Sequence, residues 1–210
     1  MEMERKLPDS VEPAQVIAYP LHDALYLNIT NRCPNACRFC IRSTDTGVGY
    51  NLWLEREPEA AEVIAALGDT LAAYREVVFC GYGEPLIRPE IVIAVAGWLK
   101  NQTDPVKIRI NTNGLADLFL GYDVLPQLAG LVDVISISLN AGDAAAYVEI
   151  TQTPYGLKAF PALLNFAARS RSYIPQVVLT AVDYPGVKLD NIKTIAKNLG
   201  AQYKIRHFLQ

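Results

Sequence analysis

Histidine is nearly missing from this 210-residue chain, which holds only His22 and His207. A metal site built on imidazoles is therefore poorly supplied. Cysteine is sparse as well, four in all, too few for a disulfide framework in a chain of this length. Neither sign of charge dominates: 19 Lys and Arg against 22 Asp and Glu leave −3, without the broad basic surface of a nucleic-acid-binding domain. No run reaches the roughly 20 apolar residues of a membrane-spanning helix. The start, Met1 to Lys6, is charged and leads into no apolar signal segment, so no secretory signal and a cytoplasmic location are expected. Repeats, low-complexity tracts and linkers are lacking, which points to one domain. With 51% apolar and 20% charged residues the chain is neither disordered nor short of core.

What is present is an alternation of strand and helix patterns. Strands are predicted at Ala24–Thr30, Val77–Cys80, Val106–Thr112, Val132–Leu139, Pro175–Val182 and Tyr203–Leu209. Helical patterns fill the gaps: Pro58 to about Tyr74, Pro89–Lys100, Leu115–Leu131 broken by Gly121 and Pro126, most of Asp143–Ser172, and Leu189–Leu199 stopped by Gly200. Six strands joined by helices imply an α/β fold with a parallel sheet and right-handed crossovers. Periodicity leaves two architectures open, a doubly wound sheet and a barrel-like (βα)6 arc. Residues 1–23 fall outside the pattern as an N-terminal extension before the domain at 24–210, with Gln15–Tyr19 a candidate hairpin partner for the first strand.

Three of the four cysteines lie within eight residues, Cys33, Cys37 and Cys40, spaced CxxxCxxC just after the first strand. Structural zinc takes four protein ligands, usually as two separated pairs, and no second pair follows. Cys80 sits inside an apolar strand. The loop fits either a zinc or iron–sulfur knot completed by a remote residue, or a 4Fe–4S cluster on three thiolates with one iron left open.

Further segments bear on that choice. Gly81-Tyr-Gly-Glu84-Pro85 follows the second strand, Thr112-Asn113-Gly114 ends the third, Ser136-Ile-Ser138-Leu-Asn140 lies on the fourth and Thr180–Asp183 on the fifth. Together with the cysteine loop and Phe39 before its third thiol, these resemble the radical S-adenosylmethionine (SAM) superfamily over roughly residues 24–210. A closer likeness, through LYLNITNRC, CRFCIR and GYNLWLE, is to the small TatD-associated radical SAM proteins.

The resemblance implies a partial (βα)6 TIM-like barrel with its site at the carboxyl ends of parallel strands. It implies a 4Fe–4S cluster held by Cys33, Cys37 and Cys40, with SAM chelating the fourth iron. Reductive cleavage of SAM then gives a 5′-deoxyadenosyl radical that abstracts hydrogen from a substrate, small molecule or protein, that the sequence does not name. A flavodoxin or ferredoxin-type electron donor follows. Gly81, Gly83 and Glu84 would cradle the SAM ammonium group, with Glu84 open to fixing the turn instead. Ser138 and Ser136 would meet the ribose or carboxylate, Phe39 and Ile41 would frame the adenine, and Asn113 and Thr180 are further candidates, Asn113 being equally a turn residue.

Several residues stay open between roles. Arg42 reads as a SAM or substrate contact or as a solvated arginine. Tyr50–Leu54 is either a lid or a lead-in packing Trp53 on the surface. Lys107, Arg109 and Arg206, within strands, are candidates for an acidic substrate or edge positions, and His207 reads as a structural residue on the last strand. The rival functions are a glycyl-radical-enzyme activase and a zinc or iron–sulfur binding module without catalysis.

Overall fold

The computed structural model describes residues 15–44, 47–68 and 71–208. The first 14 residues of the expected extension lie outside that set. Strand β1 (Ala18–Leu21) pairs antiparallel with β2 (Ala24–Leu27) through a two-residue turn that places Leu21 opposite Ala24. The turn fixes the register, so the partner of β2 begins at Ala18 rather than at Gln15.

The chain then runs α1 (Ala60–Leu67), β3 (Glu76–Phe79), α2 (Pro89–Lys100), β4 (Lys107–Thr112), α3 (Ala116–Leu120), α4 (Leu125–Leu128) and β5 (Val134–Ser138). It continues with α5 (Ala144–Thr151), α6 (Ala159–Ser170), β6 (Gln176–Val182), α7 (Leu189–Asn198) and β7 (Gln202–Arg206). The seven strands lie side by side in chain order, parallel from β2 to β7. A doubly wound sheet must reverse its strand order at a switch point. Here each crossover adds the next strand to the same edge, which gives the (βα)6 arc. β1 and β7 occupy opposite edges, so the TIM-like barrel is partial and open.

Alternation along each strand divides core from site. On β4, Ile108, Ile110 and Thr112 are buried, while Lys107, Arg109 and Asn111 share the other, concave face. The covering helices read at helical spacing: Ile91, Val92, Val95 and Leu99 on α2, and Phe160, Leu163, Phe166 and Ala167 on α6, all join one core with Val77, Phe79, Ile135, Ile137 and Leu179. No helix among the described residues is long and apolar enough to cross a membrane.

The helices are shorter than their sequence patterns. Glu59 and Glu62 close a capping box on α1, but Gly68, at φ +63°, ends it and leaves only a short 3-10 turn at Leu71–Ala73. Gly121, left-handed at φ +77°, separates α3 from α4. Left-handed Gln152 and the adjoining Pro154 part α5 from α6. The last strand stops at Arg206, before the expected Leu209, which lies outside the described residues. Asp183 accepts hydrogen bonds from the Phe208 amide and the His207 ring, drawing the chain off the strand path, so His207 sits beyond β7 and not on it.

Candidate active site

At the carboxyl ends of the strands lies a cavity of about 290 Å³, near the lower end of ligand-binding cavities. Its wall includes Cys33, Cys37 and Cys40, and the loop bearing them is fastened on several sides. The Ala36 and Arg38 amides donate to the carbonyls of Thr151 and Ile150 at the end of α5, both at 3.0 Å. Arg32 forms a two-pronged ion pair with Glu57, at 2.7 and 2.9 Å. Arg42 is turned into the loop and not simply solvated. Its Nε reaches the Cys40 sulfur at 3.3 Å, and its other nitrogens donate to the Asn31 and Asn35 carbonyls, so it staples the loop from inside.

The second wall is the Gly81–Pro85 turn after β3. A Cβ on Gly81 would stand 2.1 Å from Asn28 Oδ1, and one on Gly83 would stand 2.3 Å from the Thr30 carbonyl and 2.6 Å from that of Arg32. Both glycines are thus required by the close approach of this turn to the cysteine loop, where the Glu84 amide donates to the Arg32 carbonyl at 2.8 Å. The Glu84 carboxylate, 3% exposed, accepts from the Leu86 amide at 3.1 Å and the Asn113 amide at 2.6 Å. Those are turn-fixing contacts. Burial pushes its carboxyl up to about 7, against the lowering effect of these hydrogen bonds.

Asn113 combines two functions. Its Oδ1 accepts from the Leu115 amide, closing the turn after β4, while Nδ2 points to the Cys33 sulfur at 3.8 Å. Phe39 and Ile41 both face the cavity, Phe39 against Tyr184 and Ile41 against the cluster of Tyr19, Leu52 and Tyr82. Ser138 also lines it, accepting from Arg206 Nη2 at 2.9 Å.

Two expected residues are not brought to the cavity wall. Ser136 points to the same side as Ser138 but lies one layer deeper, paired across from Asn111 and 8% exposed. Thr180 is 2% exposed and turns its hydroxyl toward the Ile137 carbonyl, in the backbone seam between β5 and β6. Asn140 serves that seam too, its Oδ1 accepting from the Val182 amide. Tyr50–Leu54 is no lid. Asn28 Nδ2 donates to the Leu52 carbonyl at 2.8 Å, and the Asn31 amide exchanges two hydrogen bonds with Leu54, leaving Trp53 half exposed against Tyr82.

Sequence reasoning missed Tyr147, which is fully buried on α5 and reaches the cavity wall. Nothing in the pattern of that helix distinguishes it from core. The cysteine loop's dependence on Thr151 and Ile150 was likewise invisible, because it is carried by backbone carbonyls.

The donor set suits a cluster with a vacant corner. Four sulfurs line the cavity, the three of the loop and that of Cys80, which lies just past the end of β3 and not inside the strand as expected; Cys40 and Cys33 already receive hydrogen bonds of the kind that stabilise bound thiolates. Without a metal, burial pushes the Cys33 thiol up to about 11 and Cys37 to about 12. Among the described residues, no three His, Cys, Asp or Glu side chains converge to hold a single metal ion.

The sequence pattern of the Radical SAM superfamily matches residues 27–199. The chain belongs to the radical SAM superfamily. Members of that superfamily use a 4Fe–4S cluster and SAM. Among curated proteins, a GTP 3′,8-cyclase of Corynebacterium glutamicum (strain R) is 30% identical, over 86% of this chain and 47% of its own. A probable dual-specificity RNA methyltransferase of Trichormus variabilis is 30% identical over 64% of this chain and 37% of its own. The chain thus spans about half the length, or less, of these relatives. A radical SAM methyltransferase structure from Sphaerobacter thermophilus aligns over 90% of this chain and 68% of its own, with a TM-score of 0.48 and 16% identity.

Proposed function

We propose that the chain is a radical SAM enzyme whose Cys33, Cys37 and Cys40 hold three irons of a 4Fe–4S cluster, leaving the fourth iron to SAM. The observation that carries this reading is the CxxxCxxC trio of loop cysteines lining one cavity with the Gly81–Pro85 turn, in a chain whose residues 27–199 match the radical SAM pattern. When bound, such a centre supplies one-electron reduction of the SAM sulfonium, generating a carbon radical that takes hydrogen from a substrate.

The chain's own residues do the positioning. Arg42 and Asn113 donate toward the Cys40 and Cys33 sulfurs, holding the loop in its ligating shape. The Gly81–Gly83 backbone turns toward the same cavity, where its carbonyls suit an ammonium group. Phe39 and Ile41 give an apolar flank for adenine, and Ser138 keeps a hydroxyl proton to donate to the ribose or carboxylate while its oxygen is taken by Arg206. Ser136 and Thr180 act behind this wall, as packing. A flavodoxin or ferredoxin supplies the electron, in the reducing cytoplasm such a cluster needs.

The affinity with the TatD-associated group rests on two segments that the fold couples. Asn28 and Asn31 of the LYLNITNRC run bind the backbone of the GYNLWLE run. An activase acting on a partner protein is the alternative, in keeping with a barrel left open between β1 and β7.

Anaerobic reconstitution tests the reading. Protein loaded with iron and sulfide is expected to be brown with about four irons per chain, to bleach with dithionite, and to release 5′-deoxyadenosine from SAM. Single Cys33→Ala, Cys37→Ala and Cys40→Ala variants lose the cluster. Colourless protein that keeps one zinc per chain sinks the proposal.

A further inference from the structure

Four arginines lie in or around the barrel mouth; two of them are paired with carboxylates, and the donors of a third are taken up by uncharged acceptors. Arg88 is flanked by Glu57 and Glu90, Arg109 is paired with Glu76 at 2.7 Å, and Arg42 is spent on a sulfur and two carbonyls. Arg206, at the end of β7, differs. It lines the cavity, yet among the described residues no carboxylate lies within ion-pair distance of it. Of its five N–H donors, one makes a hydrogen bond, from Nη2 to Ser138 Oγ. Its Nε is buried and has no partner among the described residues. The ionisable groups acting most strongly on it are Cys80, Cys37, Arg109 and Tyr26, none of them an acid at neutral pH. The surroundings disfavour its charge, since burial lowers its pKa from the usual value, but a guanidinium stays protonated in proteins.

A partly buried cation with no carboxylate beside it among the described residues is a cost the fold carries in its free state. Of the cavity wall, Asn111 from β4 and Ser138 from β5 are polar and uncharged, and Glu84 is engaged by the Leu86 and Asn113 amides, so among the described residues no carboxylate answers the cation. Lys107 and Lys204, the other strand cations with no carboxylate partner among the described residues, are exposed, Lys107 at the far end of β4 where it bonds to Gln176, so they do not belong to this group.

We propose that Arg206 is the anchor of an oxyanion subsite for the substrate, which therefore carries a carboxylate or a phosphate. The proposal rests on the reading of the cavity as a radical SAM site. It assigns to the last strand the part of the cavity beyond the cysteine loop, where Ser138 links the two regions. A planar guanidinium with unused donors matches either anion through two parallel hydrogen bonds.

The test uses the metal-free full chain, so it does not depend on cluster assembly. Inorganic phosphate and succinate are titrated separately at constant ionic strength in chloride, following thermal unfolding. One of the two is expected to raise the melting temperature saturably. A response to phosphate marks a phosphorylated substrate, and a response to succinate marks a carboxylic acid. Arg206→Gln is expected to weaken that response at least about tenfold, while itself melting higher than wild type because a lone buried charge has been removed. Arg206→Lys, which keeps the charge and loses the fork, is expected to fall between the two.

Absence of any anion response in the wild type overturns the proposal. So does an Arg206→Gln variant that melts lower and responds as the wild type does, which would mark Arg206 as a structural brace for Ser138. In reconstituted protein saturated with SAM, the anion response is expected to persist; its disappearance would assign Arg206 to the SAM carboxylate and overturn the proposal too. Failure to build a cluster, by contrast, sinks the parent reading and leaves the metal-free titration readable.

Discussion

Glu84 joins two turns by accepting amide hydrogen bonds from both, and it does so almost out of reach of water. A carboxyl raised to about 7 when folded, against an ordinary value near 4.5, binds its proton more tightly in the native state. Its contribution to stability is therefore fully present below about pH 4.5 and falls as pH rises toward 7. The size is about 3.4 kcal/mol at most, at 1.36 kcal/mol for each pH unit between 4.5 and 7. Urea unfolding of the metal-free protein at pH 5 and pH 8 is expected to show that loss in the wild type. Glu84→Gln, though less stable throughout, should lack it; an equal pH dependence in both refutes the assignment. Gly83 gives a prediction of another kind. Its Cβ-less face touches the backbone carbonyls of Thr30 and Arg32, which cannot swing aside as a side chain can. Gly83→Ala is expected to destabilise the protein by about 1–3 kcal/mol and to lower iron retention after reconstitution. A variant with wild-type urea midpoint and iron content counts against this.

Among the elements, the cysteine loop depends on neighbours from distant parts of the chain: the Asn31 side chain on one flank and the end of α5 on the other. Asn31→Ala removes both hydrogen bonds to Leu54, leaving that buried stretch of backbone unpaired. A loss of about 1–3 kcal/mol is expected, with faster hydrogen exchange at the Leu54 amide. Unchanged exchange there would show that the segment is held by Leu52 and Leu54 packing alone. The clip between α2 and the sheet offers a similar test. Lys100 Nζ meets both oxygens of Asp133 at 2.8 and 2.7 Å, and Asp133 Oδ2 accepts the Ile108 amide. Asp133→Ala strands a partly buried ammonium and an amide, so its cost should exceed that of Lys100→Ala in denaturant unfolding.

At the scale of the whole molecule, the strand positions were legible because the core-facing residues of each strand are apolar at strand spacing, and VDVISISL or QVVLTAV cannot be mistaken for surface. The choice between arc and doubly wound sheet was not legible, since crossovers leave no trace in periodicity; only the strand order shows it. The cysteine loop and the Gly81–Glu84 turn could be found by spacing. Whether Ser136 or Thr180 reaches the cavity could not, because alternation tells the face of a strand but not the depth of a layer. Arg206 stood out in the sequence as a cation within a strand, yet so did Lys107 and Arg109, and only their partners separate them. One feature of the architecture reaches past the cavity. The strand that carries Arg206 has a neighbour on one side only, the position from which a sheet frays first. A ligand gripped there would bind through the protein's loosest border, so tightening of that border and occupancy of the subsite become two readings of a single equilibrium. Amide exchange along Gln202–Arg206 would then serve as a gauge of which molecules the protein accepts.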